Sequence, residues 1–346
     1  MRAHKDAAMK PHYSHRRIQR GVSLIEIMVA LVIGSVLTAG VINLFLSSKQ
    51  SYRIQESTTE LQENARFALQ VMDYGVRMAD HWGGVDGSGI SGSPTVTGIG
   101  GCDSAWILSA SEGIRGYEGT STTAPLPAGC LDDDDYVASS DILVVRYASP
   151  NDIVADADLG SATNANTIFV RTELGTGGKL FKGSEGVPAG LPAQDGTYNY
   201  PYTTDIYFLR PCSEKGGTKC TSSDDGGSPI STLSRLTLVN GTLTQQPLVE
   251  GVEQLQVEYG IDINRDQNAD RYVTATTLDG DATLFWSDVI NARISTIVRA
   301  NTTDTSYMPS GNPFAMAGNF SFTPPTDKYR RRMYTNVVQI RNRSRF

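Results

Sequence analysis

Oxygen-bearing side chains fall on every second position between residues 262 and 270: Asp262, Asn264, Asp266, Asn268 and Asp270. In a tight loop such residues can converge on one cation, and Ca2+ accepts about six to eight oxygen ligands. Ca2+ is therefore the candidate ligand here, while nothing in the chain requires a cofactor. The plainer reading is a polar hairpin loop between residues 257–261 and 271–274. Four consecutive acids, Asp132, Asp133, Asp134 and Asp135, are read first as a solvated charge run and second as another cation site.

Four cysteines follow the N-terminal region: Cys102, Cys130, Cys212 and Cys220. None forms a C-x-x-C pair. An even number suits an oxidising compartment such as the bacterial periplasm. Three pairings are open to four cysteines, and sequence neighbours, Cys102 with Cys130 and Cys212 with Cys220, are the expected partners. Free thiols in a cytoplasmic chain are the alternative.

Catalytic residue sets are scarce, so the catalytic list is empty. Three of the four histidines, His4, His12 and His15, lie within the first twenty-one residues, which leaves only His81 in the body. A Ser-His-Asp triad would have to use it. A zinc site needs several His or Cys ligands. No phosphate-cradling glycine loop is present. Carboxylate-only hydrolysis is the enzymatic alternative, because acids are plentiful.

The elements that carry these residues begin with a long helix. Residues 22–46 read VSLIEIMVALVIGSVLTAGVINLFL, with Glu26 as the single charge. About 20 apolar residues span a bilayer. Arg2, Lys5, Lys10, Arg16, Arg17 and Arg20 precede the run against one acid, Asp6. The positive-inside rule keeps them cytoplasmic and sends the rest of the chain across. Without residues 1–21 the basic count falls from 30 to 24 and the acidic count from 37 to 36, moving the net charge from −7 to −12. So acidic a body argues against direct nucleic-acid binding, which needs clustered Lys and Arg.

A cleaved signal peptide, a plain signal anchor and a buried core helix compete for this run. Around Thr38, Ala39 and Gly40 a signal-peptidase site has a bulky residue at −3. A plain anchor leaves Glu26 unexplained, since a carboxylate in the bilayer costs about 2.5–3.5 kcal/mol at the centre. A core helix need not be so long. Beyond residue 47 the pattern turns amphipathic: Leu61, Ala65, Ala68, Met72, Val76 and Ala79 share one helical face. No proline interrupts 22–80, so one helix of about 90 Å is expected at about 1.5 Å per residue. Gly34, Gly40 and Gly75 can loosen it locally, and Trp82-Gly83-Gly84 should end it.

The remainder reads as a mostly antiparallel β body, with strands at 141–148, 167–171, 205–210, 233–239, 252–261, 289–299 and 335–340. Two small sheets, or one with large insertions, would account for their spread. The fold class is α+β: a long N-terminal helix carrying a β-rich head. Four segments are expected: 1–21, a basic leader; 22–46, the membrane-spanning part; 47–82, the amphipathic stalk; 83–346, the head. Arg330, Arg331, Arg332, Arg341, Arg343 and Arg345 make the C-terminus basic. This reads mainly as a soluble tail beside the last strand, or else as a contact for anionic partners.

Arg20-Gly21-Val22-Ser23-Leu24-Ile25-Glu26 resembles the type IV prepilin processing motif. The resemblance implies cleavage after Gly21 by a prepilin peptidase and N-methylation of Val22. The family usually carries Phe where Val22 stands. Glycine lets a scissile backbone approach the peptidase closely. In the family, the residue at Glu26 pairs with the N-terminal amine of a neighbouring subunit. Pairing offsets the cost of burying either charge alone and sets the register between subunits.

Leu61-Gln62-Glu63-Asn64-Ala65-Arg66-Phe67-Ala68-Leu69 resembles the corresponding segment of PilW-type minor pilins. That implies a structural subunit at or near a filament tip, which primes pilus assembly and supports adhesion and twitching motility. Implied partners are other minor pilins, the major pilin, the prepilin peptidase and a tip adhesin. The implied location is the inner membrane as a single-pass protein with a periplasmic head, then the pilus on the cell surface. A type II secretion pseudopilin shares the N-terminal motif and the stalk. A membrane-anchored periplasmic binding protein without a filament role is a third possibility. The 262–270 loop is similar to loops in this minor-pilin group. It also resembles an EF-hand loop at the first, third, fifth, seventh and ninth positions. It departs from one where Gln267 replaces the turn glycine and Val273 the bidentate Glu.

Overall fold

The computed structural model describes residues 21–97, 100–192, 197–304, 306–309 and 311–343. The basic residues of the expected leader, 1–20, and Arg345 lie outside the described residues. The chain divides into two compact units, one ending at Ile54 and one beginning at Gln55.

The described part of the first unit is mainly helical. Helix α1 (Leu24–Met78) begins after the extended residues Gly21, Val22 and Ser23, and the Ser23 carbonyl accepts the amides of Glu26 and Ile27. Leucine, isoleucine and alanine favour the helix, and no proline interrupts it. Thr38 returns its hydroxyl to the Gly34 carbonyl at 2.8 Å, so this polar group is satisfied within the helix itself. Apolar side chains on every face are exposed, Leu24, Leu37 and Phe45 among them. A helix apolar all round needs an apolar surrounding, and α1 is long and apolar enough to cross a membrane.

The second unit holds the rest of α1 and the strands. These are β1 (Ile90–Ser91), β2 (Ile114–Tyr117), β3 (Ile142–Ala148), β4 (Ile168–Glu173), β5 (Gly177–Lys182), β6 (Tyr198–Arg210) and β7 (Thr232–Val239). They continue with β8 (Thr242–Glu250), β9 (Val252–Ile261), β10 (Arg271–Val273), β11 (Val289–Thr303), β12 (Phe314–Ala315), β13 (Ser321–Phe322) and β14 (Tyr329–Gln339). One eight-stranded sheet runs β1-β5-β4-β6-β3-β2, with β7 and β8 continuing from β6; a four-stranded sheet runs β10-β9-β11-β14. Every pairing between these strands is antiparallel except β1 with β5. The fold is thus α+β, with a long apolar helix and a mixed, mainly antiparallel sheet region.

The heptad-like stripe buries as its spacing dictates. Leu61, Ala65, Ala68, Met72 and Val76 join one core with Val145, Tyr207, Leu255, Val257, Ile294 and Val298 from both sheets. Gly75 is not a loose point there. A Cβ at this position would stand 3.0 Å from both Tyr207 Oη and Val145 Cγ2, so glycine lets α1 lie directly on the sheet. The two sheets are joined by Asp141. Its amide donates to the Leu255 carbonyl, Oδ2 accepts the Val257 amide at 2.8 Å and Oδ1 accepts the Gly119 amide at 3.0 Å.

α1 ends at Met78, four residues before Trp82. Asp80 takes a left-handed φ of 64°, and its amide turns to the Arg146 carbonyl. The helix's last carbonyls are then met from the other end of the chain, by Asn342. Trp82 instead buries against Tyr202, ring centroids 5.9 Å apart.

Candidate functional site

The N-terminal residues singled out by chemistry sit at the head of α1. Val22 and Glu26 are exposed, and Glu26 lies in the first helical turn. A carboxylate there complements the partial positive charge of the helix N-terminus. A Cβ built on Gly21 would meet nothing within 4 Å. Among the described residues, then, none crowds this position.

The 262–270 loop closes on its own amides. Asp262, buried at the end of the strand pair, accepts the amides of Asp266 (3.1 Å) and Gln267 (2.7 Å). Asp270 Oδ2 accepts the amides of Ile263 (2.7 Å) and Asn264 (3.3 Å), and Asp266 Oδ1 accepts that of Asn268 (2.8 Å). Arg265 and Gln267 take left-handed φ values of 62° and 68°, so Gln267 adopts a conformation that glycine usually supplies. Asn264 points Nδ2 at Asp266 Oδ2 and Asp270 Oδ1, both 3.3 Å away. An amide nitrogen thus lies between the carboxylates. Asp262, Asp266 and Asp270 do not bring three carboxylate oxygens within 4.8 Å of one another. To hold a Ca2+ ion, Asp262, Asn264, Asp266, Asn268 and Asp270 would have to exchange these loop contacts for the cation.

The cysteines bond as sequence neighbours, Cys102 with Cys130 and Cys212 with Cys220. The second bridge holds a loop that explains the four acids. Lys215 and the Cys220 amide bind Asp135; Lys219 lies 3.0 Å from both Asp132 and Asp134; Asp133 accepts the Ala124 amide at 2.9 Å. Asp132, Asp133 and Asp134 are exposed, as a solvated charge run would be, while Asp135 is buried and Lys215 and Lys219 tie the run to the disulfide loop. Hydrogen bonding to Lys219 holds the Asp132 carboxyl below its ordinary pKa. The sulfurs of Cys212 and Cys220 lie close to Asp224, but bonded sulfurs are not thiolate ligands.

Among the described residues of the arginine-rich end, Arg330, Arg331 and Arg343 are tied into the body. Arg330 pairs with Asp304, and Arg331 with Glu253 and Asp327. Arg343 pairs with Asp80. Asp327 is only four residues from Arg331, but Asp304, Glu253 and Asp80 lie 26, 78 and 263 positions from their arginines, and nothing in the local pattern announces them. His81 is also structural: its Nδ1 stands 2.7 Å from the Ala148 carbonyl, and its ring meets Tyr200 edge-on. A polar cleft of about 540 Å³ lies beside the acidic loop, lined by Asp80, Asp86, Asp262, Arg265, Asp288 and Arg343 among others.

Comparison with known proteins adds the context for these parts. A family model described as a prokaryotic N-terminal methylation motif matches residues 16–42, where Gly21, Val22 and Glu26 stand. The model of type IV pilus-assembly protein W matches residues 220–342, from the second disulfide through the four-stranded sheet to Asn342. The 61–69 segment lies outside both matches. No curated protein matches the chain. Among solved structures, a type IV-like pilin from Thermus thermophilus aligns with 9% identity and a TM-score of 0.32, covering 82% of this chain and 97% of that one. The chain thus carries an N-terminal methylation motif at the head of a helix long and apolar enough to cross a membrane, and its residues 220–342 are similar to a pilus-assembly family.

Proposed function

We propose that the chain is the precursor of a minor type IV pilin, a structural subunit at or near the filament tip that helps prime assembly and supports adhesion and twitching motility. The observation that carries this is the position of the methylation-motif match, at the head of an apolar helix with one acid in its first turn. Residues 1–21 form the leader, 22–46 the membrane part, 47–82 the stalk and 83–346 the head. A prepilin peptidase cuts after Gly21 and Val22 is methylated. Gly21 stands free of contact with the described residues, which is compatible with a peptidase reaching it.

In the membrane the basic leader stays cytoplasmic and the head lies in the periplasm, where two disulfides suit the oxidising environment. Glu26 then meets the amine of Val22 on a neighbouring subunit. Other minor pilins, the major pilin and a tip adhesin are its partners. The match to a pilus-assembly family favours the pilus over a secretion pseudopilin. We also propose the 262–270 loop as a Ca2+ site, formed when its side chains exchange the loop amides for the cation.

Intact mass and N-terminal sequencing of the membrane-extracted protein, with and without the prepilin peptidase, test the reading. A mature chain beginning at methylated Val22 is the expected result. A chain that keeps its arginine-rich start, or one clipped beyond residue 46, overturns it.

A further inference from the structure

β14 closes the four-stranded sheet, and its outer side is unused. The Ile340 amide donates to the Ile290 carbonyl at 2.8 Å. The same register pairs Val338 with Ala292, Asn336 with Ile294, Tyr334 with Thr296 and Arg332 with Val298. In an antiparallel ladder the residues of alternate pairs exchange both backbone bonds. The intervening residues Arg331, Met333, Thr335, Val337 and Gln339 therefore aim N–H and C=O away from β11. The other side of β11 obeys the same alternation, for the Arg299 amide donates to Gly251. Among the described residues, no strand pairs with the outward side of β14.

Other sheet edges are short or interrupted. β1, β2 and β10 have two, four and three residues, and β8 carries Pro247 and a register shift against β7. β14 has 11 residues, contains no proline and keeps continuous register from Arg331 to Gln339. A long regular edge left in water is a template for pairing with another chain. Its side chains add chemistry: Thr335, Val337 and Gln339 are exposed, and so is Arg332, which makes no ion pair among the described residues.

We infer that the β14 edge receives a β-strand from a different protein, one with a carboxylate for Arg332 and an apolar side chain beside Val337. A second copy of this chain fits less well, because residues 328–343 contain no acid to offer Arg332. Main-chain hydrogen bonds supply the affinity of such strand addition, and alternate side chains supply its selectivity.

Val337→Pro tests it in the full chain, tagged and extracted from its own cells in mild detergent. Proline is tolerated on an edge where the N–H faces outward, so the fold remains while the central docking bond is lost. Native mass spectrometry should find a complex with a different chain in the wild type and in Val337→Thr, and lose it in Val337→Pro. Slowed amide exchange across 331–339 should accompany the complex and vanish with it. Should Val337→Pro fail to unfold cooperatively, Arg332→Glu decides, with a roughly tenfold loss of complex expected from charge reversal. A monomer, a homodimer, or a complex indifferent to both substitutions overturns the inference. The N-terminal mass test of processing is read separately, so the two ideas fail independently.

Discussion

Arg343 donates its Nε–H to Asp80 Oδ2 at 2.6 Å, joining residues 263 positions apart. The same guanidinium donates to the Trp286 and Val289 carbonyls, and neighbouring Asn342 donates to the Arg77, Met78 and Ala79 carbonyls at 3.4, 3.3 and 3.0 Å. The end of the described chain thus caps the end of α1, meeting acceptors that a helix leaves unsatisfied. Arg343→Ala leaves Asp80 without its cation and should cost about 3 kcal/mol of stability, as removal of one member of a largely buried pair does. Asn342→Ala should cost about 1 kcal/mol, near the net worth of a hydrogen bond. Denaturant unfolding of the purified chain checks both. Equal midpoints for wild type and Arg343→Ala would contradict the cap.

Glu26→Ala separates processing from assembly. Gly21 and Val22 are untouched, so the mature mass should equal that of the wild type less the change in side chain. Incorporation into sheared filaments should fall strongly, because the neighbour's amine would then be buried without a partner. Quantitative blotting of the filament and membrane fractions reads the result. Wild-type incorporation would remove the assigned role.

The acidic loop makes a separate prediction. Calorimetry of the detergent-solubilised chain at millimolar Ca2+ should show saturable heat that Asp266→Ala abolishes. Asp266 is the choice because it is exposed and engages only loop residues, so its loss leaves the core intact. Absence of heat in the wild type would leave the loop as a turn closed by its own amides.

Asp141 should give the chain a pH-dependent stability. Burial raises its pKa to about 7, against the lowering effect of the Val257 and Gly119 amides, and nearby Glu118 adds to the rise. The folded state then holds a proton that the unfolded chain releases near pH 4. This contribution is full below about pH 4 and is lost as pH rises through about 7. Asp225 acts in the opposite sense at lower pH. Its burial is outweighed by the amides of Ile230, Ser213 and Glu214, which hold it at about 2, so its contribution fades as pH falls through that value. Asp141→Asn should therefore flatten the stability curve between pH 4 and 7 while leaving acid unfolding in place. Parallel curves for the two proteins would exclude Asp141 as the source.

Much of the architecture was legible as local pattern. The strand expected at 252–261 coincides with β9, and 142–148 and 232–239 lie within a residue of expectation. β6 reaches back to Tyr198 rather than 205 because Pro201, ordinarily a mark against a strand, sits where pairing passes from β4 to β3. β8 went unseen because its polar TLTQQPLVE edge has no buried face to enforce alternation. β14 begins six residues early because the salt-bridged Arg330 and Arg331 enter the ladder.

The sequence by itself determined the apolar helix, its buried stripe, the antiparallel character of the head and the motif around Gly21, since periodicity and composition act over neighbouring residues. Tertiary structure decided the rest. It sent four acids to Lys215, Lys219 and nearby amides, made Gly75 a point of close packing, and brought Asn342 and Arg343 to the end of α1. Such pairings depend on which surfaces meet in space, and residues hundreds of positions apart carry no local trace of one another.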